Sequence, residues 1–246
     1  AVSKEIRLQV CSIPKNLVTL VMRGSINPYV GVIIVFLLFS YFAYQGYQKD
    51  KIAEKVDGVT KTIHIQEQAK TYQDNLTSLT DISKRQLITN QKQALEKDLK
   101  GEIAGKLVFS STGFILPVFQ GANSDTLSLG VASTYYLDTE MGNGNYILAG
   151  YNVDTPSVLL SDMTDLSEGE EIDLIDAHYK YQYEVSKRGK ISDYSQVVQS
   201  KENNSFLSLP KAGKKPLLTL LAFQANNMKK CDVIQCELVN VEKINK

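Results

Sequence analysis

KLVFS (residues 106–110), GFILPVF (113–119), NYILAG (145–150), EIDLID (171–176), YKYQYEV (179–185), PLLTLLAF (216–223) and DVIQCELVNV (232–241) carry the fold of this chain. Each is a short apolar or alternating run rich in Val, Ile, Leu, Tyr and Phe, and each is bounded by Gly, Asn, Asp or Ser, as strands are. No long amphipathic helical stripe lies between them. One brief helix is expected over residues 125–132, with Asp125 as its N-cap. Residues 105–246 therefore read as a mainly β domain, either a closed barrel or a sandwich.

Working outward toward the amino end, PYVGVIIVFLLFSYFAYQGY (residues 28–47) runs without a charge. About 20 apolar residues at ~1.5 Å each span roughly 30 Å, the hydrocarbon thickness of a bilayer. Uninterrupted apolarity on every helical face argues against a soluble core helix. Tyr29 at one end, and Tyr41, Phe42, Tyr44 and Tyr47 at the other, fit interfacial aromatic belts. A signal-peptidase site needs small residues two apart. Here Ala43 follows Tyr41 and Gly46 follows Tyr44, so a retained anchor over residues 28–48 is expected. Lys4, Arg7, Lys15 and Arg23 precede the span and Lys49, Lys51, Lys55 and Lys61 follow it, so the positive-inside count is a draw. A short cytoplasmic segment (1–27) with the carboxyl part outside is expected, because a long domain translocates largely regardless of its charge.

Residues 49–104 are rich in Gln, Lys, Asp, Thr and Asn. Ile52, Val56, Val59 and Ile63 fall on one helical stripe, and Ala69, Tyr72, Leu76 and Leu79 repeat it after a phase slip. This predicts a helical stalk that partly packs on the domain beyond it, with too few heptads for a coiled coil.

Lys and Arg together number 27 and so do Asp and Glu, which leaves a formal charge of zero. That balance argues against nucleic acid, which is held mainly by phosphate neutralisation. Three cysteines and two histidines supply neither a disulfide framework nor a four-ligand zinc cluster. No cofactor or metal is expected. The acidic series Asp162, Asp165, Glu168, Glu170, Glu171, Asp173 and Asp176 reads as a solvated face, since Glu171 and Asp173 alternate with Ile172 and Leu174. Gly142–Asn143–Gly144 reads as a turn before a strand, with no P-loop lysine after it.

GFILPVFQGANSDTLSLGVA, EMGNGNYILAGYN, LSEGEEIDLIDAHYKYQYEV, PLLTLLAF and CDVIQCELV follow one another in the order and spacing of class A sortases, which this chain resembles from about residue 105 to 241. The resemblance implies an eight-stranded β-barrel outside a Gram-positive membrane. The activity it implies is cysteine transpeptidation of a Leu-Pro-x-Thr-Gly sorting signal. The family writes its histidine into L-A-G-H-N, its cysteine into T-L-x-T-C, and an arginine into R-x-V-V at the last strand. Here the matching positions are Leu148-Ala149-Gly150-Tyr151-Asn152 and Thr219-Leu220-Leu221-Ala222-Phe223. Cys231 stands two residues before Val233 and Ile234. The resemblance therefore implies that Tyr151, Phe223 and Cys231 occupy the positions of the catalytic His, Cys and Arg.

Acyl transfer by that route needs a thiolate, a proton donor for the leaving amine and a donor to the oxyanion. Phe223 offers no lone pair, and tyrosine does not shuttle protons near neutrality. Cys231, beside Lys230, is the one candidate for a relocated nucleophile. His64 in the stalk and His178 between two strands fall in no family motif and read as solvated. Cys236, five residues beyond Cys231, points to the opposite face in a regular strand. The expectation is a catalytically inactive, membrane-anchored sortase-like protein that binds or assembles surface proteins, pilins or an active sortase. Its groove candidates are Ala149, Tyr151, Asn152, Leu221, Phe223 and Cys231. The alternative is an active or altered transpeptidase working through Cys231.

Overall fold

The computed structural model describes residues 28–61, 63–200 and 204–244. The expected cytoplasmic segment 1–27, with Cys11 and its four basic residues, lies outside the described residues. Contacts divide the chain into two units, Ala1–Tyr47 and Gln48–Lys246.

Helix α1 (Pro28–Thr60) begins in the first unit and ends in the second. Within the first unit its large apolar side chains stand open, with Tyr29, Phe36 and Phe39 each at least 70% exposed. So continuous an apolar surface is unfavourable in water and suits hydrocarbon. The helix is long and apolar enough to cross a membrane.

In the second unit the last turns of α1 bury Ile52, Val56 and Val59, the stripe read from the sequence. The helical expectation for residues 49–104 holds for the end of α1 and for residues 84–96 but fails between them. From residue 63 to 83 the chain is extended or irregular, apart from a 3₁₀ turn at Leu76–Ser78. The reason is a competing backbone partner: Tyr72 N–H donates to Gln120 O at 2.8 Å and Asn75 N–H to Ala122 O at 2.9 Å. Leu76 is buried and Tyr72, Leu79 and Ile82 pack on the core, so their helix-like spacing is satisfied by a strap lying on the barrel. Helix α2 (Lys84–Glu96) follows, its amino end capped by the Ser83 hydroxyl accepting from Gln86 N–H. Leu87, Ala94, Leu99 and Ile103 are buried. Each buried leucine or isoleucine contributes roughly 1.5–3 kcal/mol, so this region is part of the fold and not a spacer.

Eight strands close into a barrel in the order β1-β2-β3-β4-β7-β8-β6-β5. They are β1 (Gly105–Phe109), β2 (Phe114–Gln120), β3 (Val131–Ser133), β4 (Asn145–Asn152), β5 (Glu171–Ile175), β6 (Tyr179–Ile191), β7 (Leu217–Gln224) and β8 (Asn227–Lys243). All seven runs read from the sequence are strands, and the three-residue β3 is the addition. The brief helix is α3 (Ser124–Leu129), and its cap is Asn123, not Asp125. Asn123 Oδ1 accepts from Thr126 N–H while the Thr126 hydroxyl accepts from Asn123 N–H, a reciprocal box that Asp125, one residue inside, has no geometry to make. Helix α4 (Tyr194–Ser200) lies in the β6–β7 connection.

Two pairings organise the site. β4 and β7 run parallel with Tyr151 opposite Phe223, and β7 and β8 run antiparallel with Phe223 opposite Cys231. Every residue of β4 is buried, so both of its faces are covered. Gly150 permits this on one side: a Cβ there would lie 2.7 Å from Leu160 Cδ1.

Candidate functional site

Register aligns one row across four strands: Tyr151 on β4, Phe223 on β7, Cys231 on β8 and Ile191 on β6. The neighbouring row is Ala149, Leu221, Val233 and Gly189. Paired residues share a face, so Ala149, Tyr151, Leu221, Phe223 and Cys231 stand together. Asn152 does not join them. It is one residue out of phase with Tyr151, and its side-chain oxygen accepts from Asp154 N–H at 2.9 Å, forming the turn that ends β4.

The row is closed to solvent. Tyr151, Phe223 and Cys231 are 1%, 0% and 2% exposed. The cover is the β6–β7 connection. Tyr194 of α4 meets Phe223 edge to face, and Leu207 is buried nearby in chain order. The Phe206 ring fills the space that a Cβ on Gly189 would need. Polar anchors fix this cover to the sheet: Asn145 Nδ2 donates to Phe206 O at 2.9 Å and Ser208 O at 3.0 Å, and Gln235 Nε2 donates to Phe206 O at 3.1 Å. Thr219 Oγ1 completes the set by donating to Asn145 Oδ1 at 2.8 Å.

The strap supplies the remaining edge. Asp81 Oδ1 accepts from Met228 N–H at 2.8 Å and Ile82 N–H donates to Ala225 O at 2.7 Å, which clasps the β7–β8 turn beside the row. Asp74 accepts from the Thr134 hydroxyl, and the Tyr194 hydroxyl lies against that same threonine. Three left-handed non-glycine residues, Asp154, Ser157 and Leu159, follow β4 directly. Each costs of order 1 kcal/mol and is held by packing and turn bonds such as Ser157 N–H to Asp162 Oδ2.

Electrostatically the row is quiet. Burial pushes the Cys231 thiol well above the ordinary range, and the Asp232 carboxylate adds to the effect. Burial likewise raises the Tyr151 hydroxyl. A protonated thiol among rings and aliphatics is no nucleophile. Cys231 is also not at the entrance of the last strand: β8 begins at Asn227, so the cysteine sits inside the ladder, opposite both Phe223 and Ile191. Cys236, opposite Leu218, lies on the other face, in agreement with the five-residue offset.

The histidines lie elsewhere. His64 is exposed in the strap, and His178 in the β5–β6 turn has its Nε2 3.8 Å from Glu67 Oε1. Of the acidic series, Asp165, Glu168 and Glu171 are exposed and Asp162, Glu170 and Asp176 half-buried, but Asp173 departs from the solvated-face reading. It is 8% exposed and its Oδ2 lies 2.9 Å from Lys180 Nζ, because β1 and β6 flank β5 on both sides and the lysine stem closes over it. Among the described residues no three His, Cys, Asp or Glu side chains converge as a metal site. Gly142 and Gly144 both take positive φ in the turn before β4, as the motif reading expects.

Tyr194 was not found by sequence reasoning. YSQVVQS carries no family motif, and a seven-residue helix has too few turns to show periodicity.

Comparison with known proteins points one way. A sortase domain model matches residues 107–227, a span that includes Tyr151 and Phe223 and stops short of Cys231. Sortase A of Bacillus anthracis is 31% identical over 158 residues, covering 63% of this chain and 71% of that protein. Sortase A of Listeria monocytogenes is 28% identical over 141 residues, covering 57% of this chain and 63% of that protein. A crystal structure of Listeria monocytogenes sortase A superposes with a TM-score of 0.50 at 27% identity, over 58% of this chain and 92% of that one.

Proposed function

The chain belongs to the sortase family, and on that premise we propose that it keeps the barrel without the transpeptidase chemistry. It is a membrane-anchored binding or assembly factor for surface proteins or pili of a Gram-positive envelope, with its barrel outside the membrane. The family histidine, cysteine and arginine positions, carried over by motif, are Tyr151, Phe223 and Cys231.

One observation carries the reading: Phe223, at the nucleophile position, is fully buried between Tyr151 and Cys231 and beneath Tyr194. Nucleophilic acyl transfer needs an accessible lone pair, and loss of the nucleophile alone removes most of the rate of such a unit. Replacing reactive polar groups by rings adds packing instead, roughly 2–3 kcal/mol per buried ring. The alternative through Cys231 draws no support from its surroundings, since its thiol is closed off, shifted toward the protonated form and flanked by Phe223 and Ile191.

The test is incubation of the full chain in detergent micelles with a Leu-Pro-x-Thr-Gly peptide, followed by mass spectrometry with and without hydroxylamine. Neither cleavage nor a hydroxylamine-sensitive adduct is expected. Either product refutes inactivity, and its loss in Cys231→Ala assigns it to that thiol. Titration with a protein bearing a sorting signal, a pilin and an active sortase then separates the binding role, which requires saturable binding to one of them, from a relic that binds none.

A further inference from the structure

A concavity of about 400 Å³ opens where the strap, the β3–β4 connection and the β5–β6 turn meet. It is not an extension of the Tyr151 row. Tyr146, which lines it, is the second residue of β4, five residues before Tyr151. It is therefore roughly 17 Å away along the strand and on the opposite face.

Three tyrosines, Tyr146, Tyr179 and Tyr181, line it together with Met141. The Tyr181 ring is held in place on one side by Gly142, where a Cβ would lie 2.3 Å from the ring, and at its tip by its hydroxyl, which donates to Asp176 Oδ2 at 2.8 Å. Asp176 is occupied by that bond and by two backbone N–H groups, from His178 and Tyr179. The rim adds Glu67, Asp138 and Glu140, and His178 lines the cavity beside them, while among the described residues no lysine or arginine does. Glu67 faces His178, whereas Asp138 and Glu140 project from the exposed β3–β4 connection.

Aromatic faces carry negative potential over the ring, and a cation placed there gains about 0.5–2 kcal/mol depending on desolvation. Carboxylates on the rim add to the same field. The carboxylates are too dispersed to form a metal site among the described residues, while the volume lies within the size range of small-ligand sites. We propose that this cavity binds an organic ammonium group, such as a lysine side chain carries, with tyrosine rings against its methylenes and the rim carboxylates about its charge. The proposal is independent of whether the Tyr151 row is catalytic.

The experiment uses the full chain in detergent micelles, labelled with ring-¹³C tyrosine and titrated with Nα-acetyl-lysine methylamide. The neutral isostere Nα-acetyl-norleucine methylamide, a glycine peptide with one internal lysine, and calcium chloride are titrated in parallel. Saturable shifts of tyrosine ring signals are expected with both lysine probes. Affinity should be at least 10-fold weaker for the norleucine probe, and 10-fold weaker for lysine in Asp138→Asn/Glu140→Gln, whose exposed positions leave folding intact. Tyr181→Leu should lose the response, with far-ultraviolet dichroism confirming the fold. Saturation by the peptide but not the free amide assigns the site to lysine presented on a chain. Equal binding of the neutral isostere, absence of saturation with either lysine probe, unchanged affinity in the carboxamide variant, or displacement of lysine by millimolar calcium would each overturn the proposal.

Discussion

Tyr194 stands edge-on against Phe223, with ring centroids 5.1 Å apart and planes at 87°. The two residues come from different parts of the chain, one from α4 and the other from the end of β7, and each is at most 2% exposed. Their contact is worth about 0.5–1.5 kcal/mol beyond burial. It joins the cover to the sheet at the centre of the Tyr151–Phe223–Cys231 row.

Phe223→Ala should destabilise the protein by about 3–5 kcal/mol, the cost of losing a buried ring and leaving a cavity that the parallel β4–β7 pairing cannot collapse. Chemical denaturation of the full chain in detergent measures it. Val239→Ala, at an exposed position on β8, serves as the contrast and should stay within about 0.5 kcal/mol. Equal effects from the two would remove Phe223 from the core.

Tyr194→Ala should raise the rate of Cys231 alkylation by iodoacetamide at pH 8 at least 10-fold, because it lifts the cover from a thiol that is 2% exposed. Tyr194→Phe keeps the packing and should leave the rate near that of the native protein. Peptide mapping distinguishes Cys231 from Cys236, which faces the other side of β8 and should stay unmodified in both variants. If Cys231 in the unaltered protein reacts as fast as a free thiol, the closed row is wrong.

Alkali should loosen the fold. Burial raises the hydroxyls of Tyr146, Tyr151, Tyr183 and Tyr194 and the thiols of Cys231 and Cys236. In the unfolded chain cysteine titrates near 8.5 and tyrosine near 10. Above those values the unfolded state binds fewer protons than the native state, so stability falls as pH rises. The contribution of these groups is fully present below about pH 8.5. It then declines by up to about 1.4 kcal/mol per pH unit for each group that has titrated in the unfolded chain. Denaturation midpoints between pH 7 and 11 should show this slope, and Cys231→Ala/Cys236→Ala should flatten its first part, from about 8.5 to 10.

Much of this arrangement was legible in the sequence. PLLTLLAF and NYILAGYN reveal their strands by apolar content, while the pairing of Tyr151 with Phe223 appears only in the register. Val131–Ser133 is too short to show a period, and the start of β8 is masked by Asn227 and by Lys229 and Lys230, which face solvent within a strand. Residues 63–83 misled for a different reason: apolar residues three or four apart suit a helix, but backbone bonds to Gln120, Ala122 and Ala225 decide their conformation, and those partners lie far along the chain. Tyr194 had no signal, since only tertiary contact tells which aromatic residue covers another.

Building a reactive row here therefore takes more than three changes. Tyr151→His, Phe223→Cys and Cys231→Arg would place an imidazole, a thiol and a guanidinium in one row, where register already sets them on adjacent strands. The guanidinium would still lie beneath α4, desolvated and without a carboxylate partner facing it in the row, a costly state. The triple variant should accordingly be destabilised and give no acyl adduct with a Leu-Pro-x-Thr-Gly peptide. Adding Tyr194→Ser removes the ring that meets position 223 and opens a path to the new thiol. A hydroxylamine-sensitive adduct, detected by intact mass, is expected from the quadruple variant at levels above the triple. An adduct of equal yield without the Tyr194 change would show that Tyr194 does not close the row.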